Sequence, residues 1–226
     1  MIVFPSICDP CSFLPPREVH VYVSPLTEPE QYANLLTPEE QTRAQRFRLA
    51  RVRSQFIAAR GLLRMLLGKY LRAEPADVPI RYADGGKPYV PGSTLHFNLS
   101  HTDGLGVFAV ARTRVGIDVE KPRPVPDALN LVQRFFTVRE CALFNALPEA
   151  SRLLAFFRAW TRKEAILKAI GRGVQALDCC DVTFCEDESP RVVGLEGDDP
   201  NRWHLSEWEP AKGYMAALAV EDERGQ

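Results

Sequence analysis

In the stretch "WTRKEAILKAIGRG", Trp160–Gly173, an acid stands where the pattern calls for an apolar residue. At roughly 100° per residue, Leu153, Phe157, Trp160 and Leu167 share one helical face, and Glu164 lies at its centre. A buried ionised carboxylate is costly unless it is paired or bound to a metal. A core arginine would satisfy it, and so would a cation held jointly with other acids.

Other acids of that kind lie in "GIDVEK". In a strand, Ile117 and Val119 face one side while Asp118 and Glu120 face the other. Two carboxylates on one face repel unless a cation lies between them. Oxygen-only ligation suits Mg²⁺, which keeps waters and accepts substrate phosphates as further ligands. The plainer alternative is an exposed polar face. Upstream, "TLHFNLSHTDG" alternates Leu95, Phe97 and Leu99 with His96, Asn98 and Ser100, the pattern of a half-buried strand. Thr102-Asp103-Gly104 predicts a turn, Leu105–Ala111 the return strand, and Val115–Glu120 a third strand closed by Lys121-Pro122. Read as an antiparallel meander, the first and third strands run the same way. Ser100 and His101 then end beside Asp118 and Glu120.

Positive charge gathers around these acids. Lys163 and Lys168 flank Glu164, with Lys168 one turn on. Lys87 lies in the loop Gly85-Gly86-Lys87-Pro88, where glycines let backbone amides approach an anion. Between Gln41 and Arg72 there are nine Lys or Arg and no Asp or Glu, a balance that points to an anionic ligand or partner. Acids for a metal, with lysines and a histidine for phosphates, are the equipment of phosphoryl-type transfer.

The elements that must hold these groups can be read around them. Val19–Val23 alternates as a strand. Thr37-Pro38-Glu39-Glu40 opens a helix with a capping box, and helical sequence continues to about Leu71, with one break expected near Ala50–Arg53. Phe135–Leu147 predicts a helix capped at Thr137, Glu149–Ile170 a second, and Gly171-Arg172-Gly173 a stop. "VTF", "WHLSEW" and "YMAALAV" read as strands in the tail. The class is α+β, antiparallel sheets with helices packed on them. No internal repeat is visible in the letters.

The 226 residues are enough for one large domain or two small ones, and at 46% hydrophobic and 25% charged the composition is that of a globular protein. The net charge of −1 names no partner. Cys8 and Cys11 form a single CxxC, a weak zinc or redox signal beside the plainer reading of free thiols. Without a long apolar run or a basic leader, the chain is expected to act in the cytoplasm.

Taken together, "GGKPYV", "FNLSHTDG", "VGIDVEKPRP" and "FFRAWTRKEAILKAIGRGV", in this order, resemble the 4'-phosphopantetheinyl transferases of the Sfp type. "TPEEQTRAQRFRLARVRSQFIAARGLLRMLL" is similar to that family's N-terminal helical region, so the likeness runs from about Thr37 to Val174. The resemblance implies transfer of phosphopantetheine from coenzyme A to a serine of an apo carrier protein, with release of 3',5'-ADP. It implies two similar halves related by a pseudo-two-fold, divided in this chain as 1–112 and 113–226, with coenzyme A and Mg²⁺, or Mn²⁺, between them. Asp118, Glu120 and Glu164 match its metal ligands. Gly86, Lys87, Pro88, Ser100, His101, Lys163 and Lys168 match its phosphate-contacting region, and Arg43 its grip on the 3'-phosphate. Glu164 would serve as general base and Lys168 would neutralise the leaving phosphate, with His101 beside them. Glu40 and Phe56 depart from what some relatives carry at coenzyme A contacts. The implied partner is a carrier protein or domain of fatty-acid, polyketide or peptide synthesis, met by a monomer. Two rival classes use the same groups: a Mg²⁺-dependent phosphohydrolase or nuclease, and a non-catalytic nucleotide-binding module.

Overall fold

The computed structural model describes residues 1–7 and 10–222. The first half holds β1 (Ile2–Val3), β2 (Val19–Pro25), α1 (Pro38–Gln45), α2 (Ala50–Leu71), β3 (Arg81–Tyr82), β4 (Pro88–Tyr89), β5 (His96–Thr102) and β6 (Leu105–Ala111). The second holds β7 (Val115–Glu120), α3 (Ala128–Phe135), α4 (Val138–Ala146), α5 (Glu149–Ile170), β8 (Cys180–Val182), β9 (Val192–Leu195), β10 (Trp203–Trp208) and β11 (Met215–Glu221). The fold is α+β, its main sheets antiparallel apart from the short β1–β2 pairing.

The expected meander does not form. β5 and β6 make a hairpin, with Ser100 opposite Val107, but β7 leaves that sheet and pairs with β11, Ile117 opposite Leu218. Turn chemistry accounts for the difference. Asp103 and Gly104 both adopt positive φ, 46° and 87°, as a tight hairpin needs. Arg112-Thr113-Arg114 offers neither a glycine nor a positive φ, so the chain crosses to a second sheet. The sheet orders are β1-β2-β6-β5 and β10-β11-β7, so β5 and β7 are edge strands.

Those orders expose a repeat that the letters conceal. In each half a first strand (β2, β7) is followed by a 22-residue helix (α2, α5) and a closing hairpin (β5–β6, β10–β11). The last strand of each half pairs with its first. Both long helices end on a residue in the left-handed region, Arg72 and Gly171. Both halves carry a capping box, Thr37 with Glu40 on α1 and Thr137 with Glu140 on α4. Each box glutamate also accepts from a buried base that is the fifteenth residue of its long helix. Arg64 donates to Glu40 at 2.6 Å, and Lys163 to Glu140.

The two sheets pack face to face, burying Val19, Val21, Val107 and Ala109 against Ile117, Val119, Ala216 and Leu218. α2 covers the outer face of one through Leu62, Leu63, Leu66 and Leu67 against Tyr22, Phe97 and Phe108. α5 covers the other through Ala165, Ile166 and Ala169 against Leu205, Ala217 and Ala219. Each fully buried Leu, Ile or Phe contributes on the order of 1.5–3 kcal/mol.

Most sequence boundaries coincide with the structure, α5 among them. The break between α1 and α2 falls at 46–49, a few residues earlier than expected, and α4 starts after its Thr137 cap. α3, β9 and the two-residue strands β1, β3 and β4 are additional elements. Cys8 lies outside the described residues, so the CxxC pair has no structural account. Cys11, Cys141, Cys179, Cys180 and Cys185 are free thiols. Among the described residues no helix is long and apolar enough to cross a membrane.

Candidate functional site

Where α5 crosses β7, Gly116 lets the helix settle onto the strand. A Cβ there would overlap the Ala165 carbonyl oxygen and the Ala169 amide nitrogen. The close approach brings the polar face of β7 under Glu164 and Lys168. Lys168 Nζ donates to Asp118 Oδ1 at 2.5 Å and to Ser100 Oγ at 3.1 Å, and lies 4.0 Å from Glu164 Oε2. Ser100 Oγ also donates to Asp118 Oδ1 at 2.8 Å. The serine comes from β5 and the aspartate from β7, so the cluster straddles the seam between the two sheets.

Among the described residues no arginine answers Glu164. Its partner is Lys168, its Oε1 is buried without a hydrogen bond, and so is Asp118 Oδ2. Burial raises the Glu164 pKa; Lys168 opposes that rise and Asp118 adds to it. Glu120, next along the strand face, accepts from Thr102 Oγ1 at 3.4 Å. Burial and the neighbouring Asp118 push it up to about 7, against Arg123, Lys168 and the Thr102 hydrogen bond. Among the described residues no three His, Cys, Asp or Glu side chains gather closely enough to hold a metal ion as they stand. The Lys168 ammonium, paired with Asp118, supplies the positive charge in that space.

His101 is exposed at the rim, yet enough protein surrounds its ring to lower its pKa, and Lys168 lowers it further. Lys87 is turned inward. Its Nζ donates to Val115 O at 2.9 Å and Lys168 O at 2.5 Å, tying the loop to β7 and α5. Burial brings it down to about 8, with Arg114 adding repulsion.

A cleft of about 250 Å³ opens beside this cluster, and Gly86, Lys87, Pro88, Lys168 and Arg43 line it. Arg43 continues into a second groove with Arg46 and Phe47, its guanidinium 5.4 Å from the Phe56 ring centre. The nine-residue basic run therefore divides. Arg64 is fully buried and spends its donors on Glu40 and on the carbonyls of Pro75, Ala76 and Val78.

Sequence reasoning does not single out Arg60, which belongs to the cleft. It pairs with Glu40 at 3.5 Å and donates to Tyr82 Oη, while its buried Nη1 has no partner. Its place one turn before Arg64 on an otherwise apolar stretch is the available signal. Arg172, just past the end of α5, also lines the cleft.

Lys163 stands apart from the other expected phosphate contacts. It is wholly buried, paired with Glu140 and donating to Cys180 O at 2.6 Å, with the Phe136 ring 5.1 Å away. Successive helical residues point about 100° apart, so Lys163 faces Glu140 and Cys180 while Glu164 faces Lys168.

The arrangement can therefore take a polyanion along Arg43, Arg60 and Lys168. Behind Lys168 lie a carboxylate with a raised pKa, Glu164, and two buried carboxylate oxygens without hydrogen-bond partners. Residues 114–219 match the 4'-phosphopantetheinyl transferase superfamily, and residues 25–113 match the N-terminal region of 4'-phosphopantetheinyl transferases. The 4'-phosphopantetheinyl transferase HetI of a Nostoc species is 39% identical over 212 residues, which cover 90% of this chain and 87% of the relative. A phosphopantetheinyl transferase of a Thraustochytrium species is 32% identical over 181 residues, 72% of this chain and 62% of the relative. The 4'-phosphopantetheinyl transferase Sfp of Bacillus subtilis is 24% identical over 195 residues, 85% of each chain. Two matched regions that meet at residue 113–114, where the chain crosses from one sheet to the other, and a relative 39% identical over nearly its whole length make this chain a member of the 4'-phosphopantetheinyl transferase family of enzymes.

Proposed function

We propose that the enzyme transfers 4'-phosphopantetheine from coenzyme A to a serine hydroxyl of an apo carrier protein, acyl or peptidyl, with release of 3',5'-ADP. The carrying observation is the seam itself. Asp118, Glu164 and Lys168 meet Ser100 across two sheets, and Lys168 also lines the adjoining cleft with its arginines.

The orphaned oxygens Asp118 Oδ2 and Glu164 Oε1 fit a hard divalent cation, and Asp118, Glu120 and Glu164 would hold Mg²⁺ or Mn²⁺. Such an ion, when bound, neutralises charge on the diphosphate. The chain's own groups do the rest. Arg43 and Arg60 hold the phosphates distal to the reacting bond, and Ser100 and His101 flank the near end. Lys168 is released from Asp118 as anions arrive, and it neutralises the leaving phosphate. Glu164 takes the serine proton, a role helped by a pKa raised toward neutrality. Lys87 supports the loop from behind. Action as a cytoplasmic monomer, and a division of the chain at 112–113, belong to the same reading.

Mass spectrometry of an apo carrier protein incubated with the enzyme, coenzyme A and Mg²⁺ tests it. A gain equal to phosphopantetheine is expected. An unmodified carrier with hydrolysed coenzyme A would point to the phosphohydrolase reading instead.

A further inference from the structure

β5 and β7 are the edges of two different sheets, and the backbone ladders of the fold join β5 to β6 and β7 to β11. Three alternate side chains of β5 bridge the two edges. Asn98 Oδ1 accepts from the Ile117 backbone N–H at 2.9 Å, Ser100 reaches Asp118, and Thr102 reaches Glu120. The rungs differ in kind. Ser100 and Thr102 hold carboxylate side chains, which can rotate, whereas Asn98 holds the strand. The amide orientation is fixed as well, because a backbone N–H can only donate and the facing atom must be the oxygen. Asn98 is 5% exposed, so the bond is shielded from water, and without it a buried edge amide would have no acceptor. Side chains alternate along a strand, so a one-residue slip of β7 would swap Asp118 and Glu120 for Ile117 and Val119 beneath α5.

Building on the transfer reading above, we propose that Asn98 is a positioning residue. It sets the register of β7 against β5, and thereby where Asp118 and Glu120 stand relative to Glu164 and Lys168. It acts through the Ile117 amide, and its side-chain oxygen accepts from that backbone N–H rather than from any of these four groups.

Three readouts on the full chain test this. In the unaltered protein, the Ile117 amide should rank among the slowly exchanging amides in deuterium exchange by NMR. Asn98→Leu keeps the shape and removes the acceptor. It should speed Ile117 exchange and weaken Mn²⁺ binding to the protein alone, followed by calorimetry. Turnover should fall about 10–100-fold, the range of lost supporting contacts at such sites. Asn98 also lines the cleft, but its side-chain oxygen is committed to the Ile117 amide, so KM for coenzyme A should stay within about two-fold. Asn98→Asp keeps the accepting oxygen. It should retain Ile117 protection and fall between the other two proteins in turnover.

A raised KM for coenzyme A with normal turnover and intact Ile117 protection would make Asn98 a ligand contact and overturn the proposal. Rapid Ile117 exchange in the unaltered protein would do the same without any variant. If Asn98→Leu fails to fold, that exchange measurement and Asn98→Asp decide the matter. The exchange and Mn²⁺ readouts do not depend on carrier modification, so a failure of the transfer reading would show separately.

Discussion

Glu164 occupies a helix position that burial would ordinarily give to leucine, and its ion-pair partner, Lys168, is 4.0 Å away. On the proposed function, a carboxylate so placed is kept for catalysis, because its one ion pair, to Lys168, is long. Glu164→Gln should therefore leave the melting temperature unchanged or slightly raised, because a cluster of like charges loses one member. Turnover should fall about 10²–10⁴-fold if Glu164 is the general base. A thermal melt and a transfer assay on one preparation check this. A large fall in melting temperature with near-normal turnover would make the residue structural. Much at this scale is legible from the letters, because helical and strand periods assign faces without any coordinates. The three- and four-residue steps of "WTRKEAILK" put Glu164 on the buried stripe, and the two-residue period of "GIDVEK" puts Asp118 and Glu120 together. Asn98 and Arg60 are less legible. Alternation marks Asn98 as polar-facing but cannot say that its face meets another strand, and Arg60 sits in a run that mixes core and cleft arginines.

Helices and strands carry their own predictions. Lys163 and Glu140 are both fully buried, and each is the other's charge partner. Lys163→Met strands a buried carboxylate and should cost roughly 3–5 kcal/mol in urea denaturation, with KM for coenzyme A unaltered in the surviving folded fraction. Adding Glu140→Leu to it should recover most of that loss, since an apolar pair of similar volume is often neutral. A raised KM at unchanged stability would instead return Lys163 to the ligand site. Gly116→Ala tests the crossing of α5 over β7. It should destabilise by about 1–3 kcal/mol, the usual range for overpacking, and lower activity by displacing Glu164 and Lys168 together. Full activity and stability in this variant would mean that the helix has room to spare. The limits of α5 are legible because a regular apolar stripe ends at a glycine stop. The partner of β7 is not, because pairing depends on which edge is open elsewhere in the chain. Asp103-Gly104 announces its hairpin, but nothing in Arg112-Thr113-Arg114 names β11.

Across the whole molecule, the second half is closed by Arg114, at the crossing between the sheets. It donates to both Glu221 oxygens at 2.7 Å and to Asp198 at 3.0 Å, with its guanidinium 4.9 Å from the Trp203 ring centre. Hydrogen bonding from Arg114 holds the Glu221 carboxyl below its ordinary value of 4.5, against a smaller opposing effect of burial. The folded state thus releases this proton more readily than the unfolded chain. The resulting stability is fully present above pH 4.5 and is lost as pH falls through the lower folded value. Arg114→Met should be less stable at roughly pH 7 and lose less on going to roughly pH 3 than the unaltered protein, as urea midpoints at both pH values would reveal. Parallel acid limbs for the two proteins would sink this. The repeat of the two halves is the least legible feature at this scale. The anchors that correspond share the box threonine and glutamate but not the base, Arg64 in one half and Lys163 in the other, and letters so sparse are not found by eye.

The polar stripe on β5 has one more consequence, during synthesis. The first half leaves the ribosome before β7 exists, and a newly closed sheet then shows β5 as a bare edge. An open apolar edge at that moment would be a template for pairing with another nascent chain. Asn98, Ser100 and Thr102 make this edge hydrophilic until Ile117, Asp118 and Glu120 arrive to meet it. Replacing the stripe wholesale with valine or leucine would thus be felt first as insoluble product at high expression, before any enzyme could be assayed.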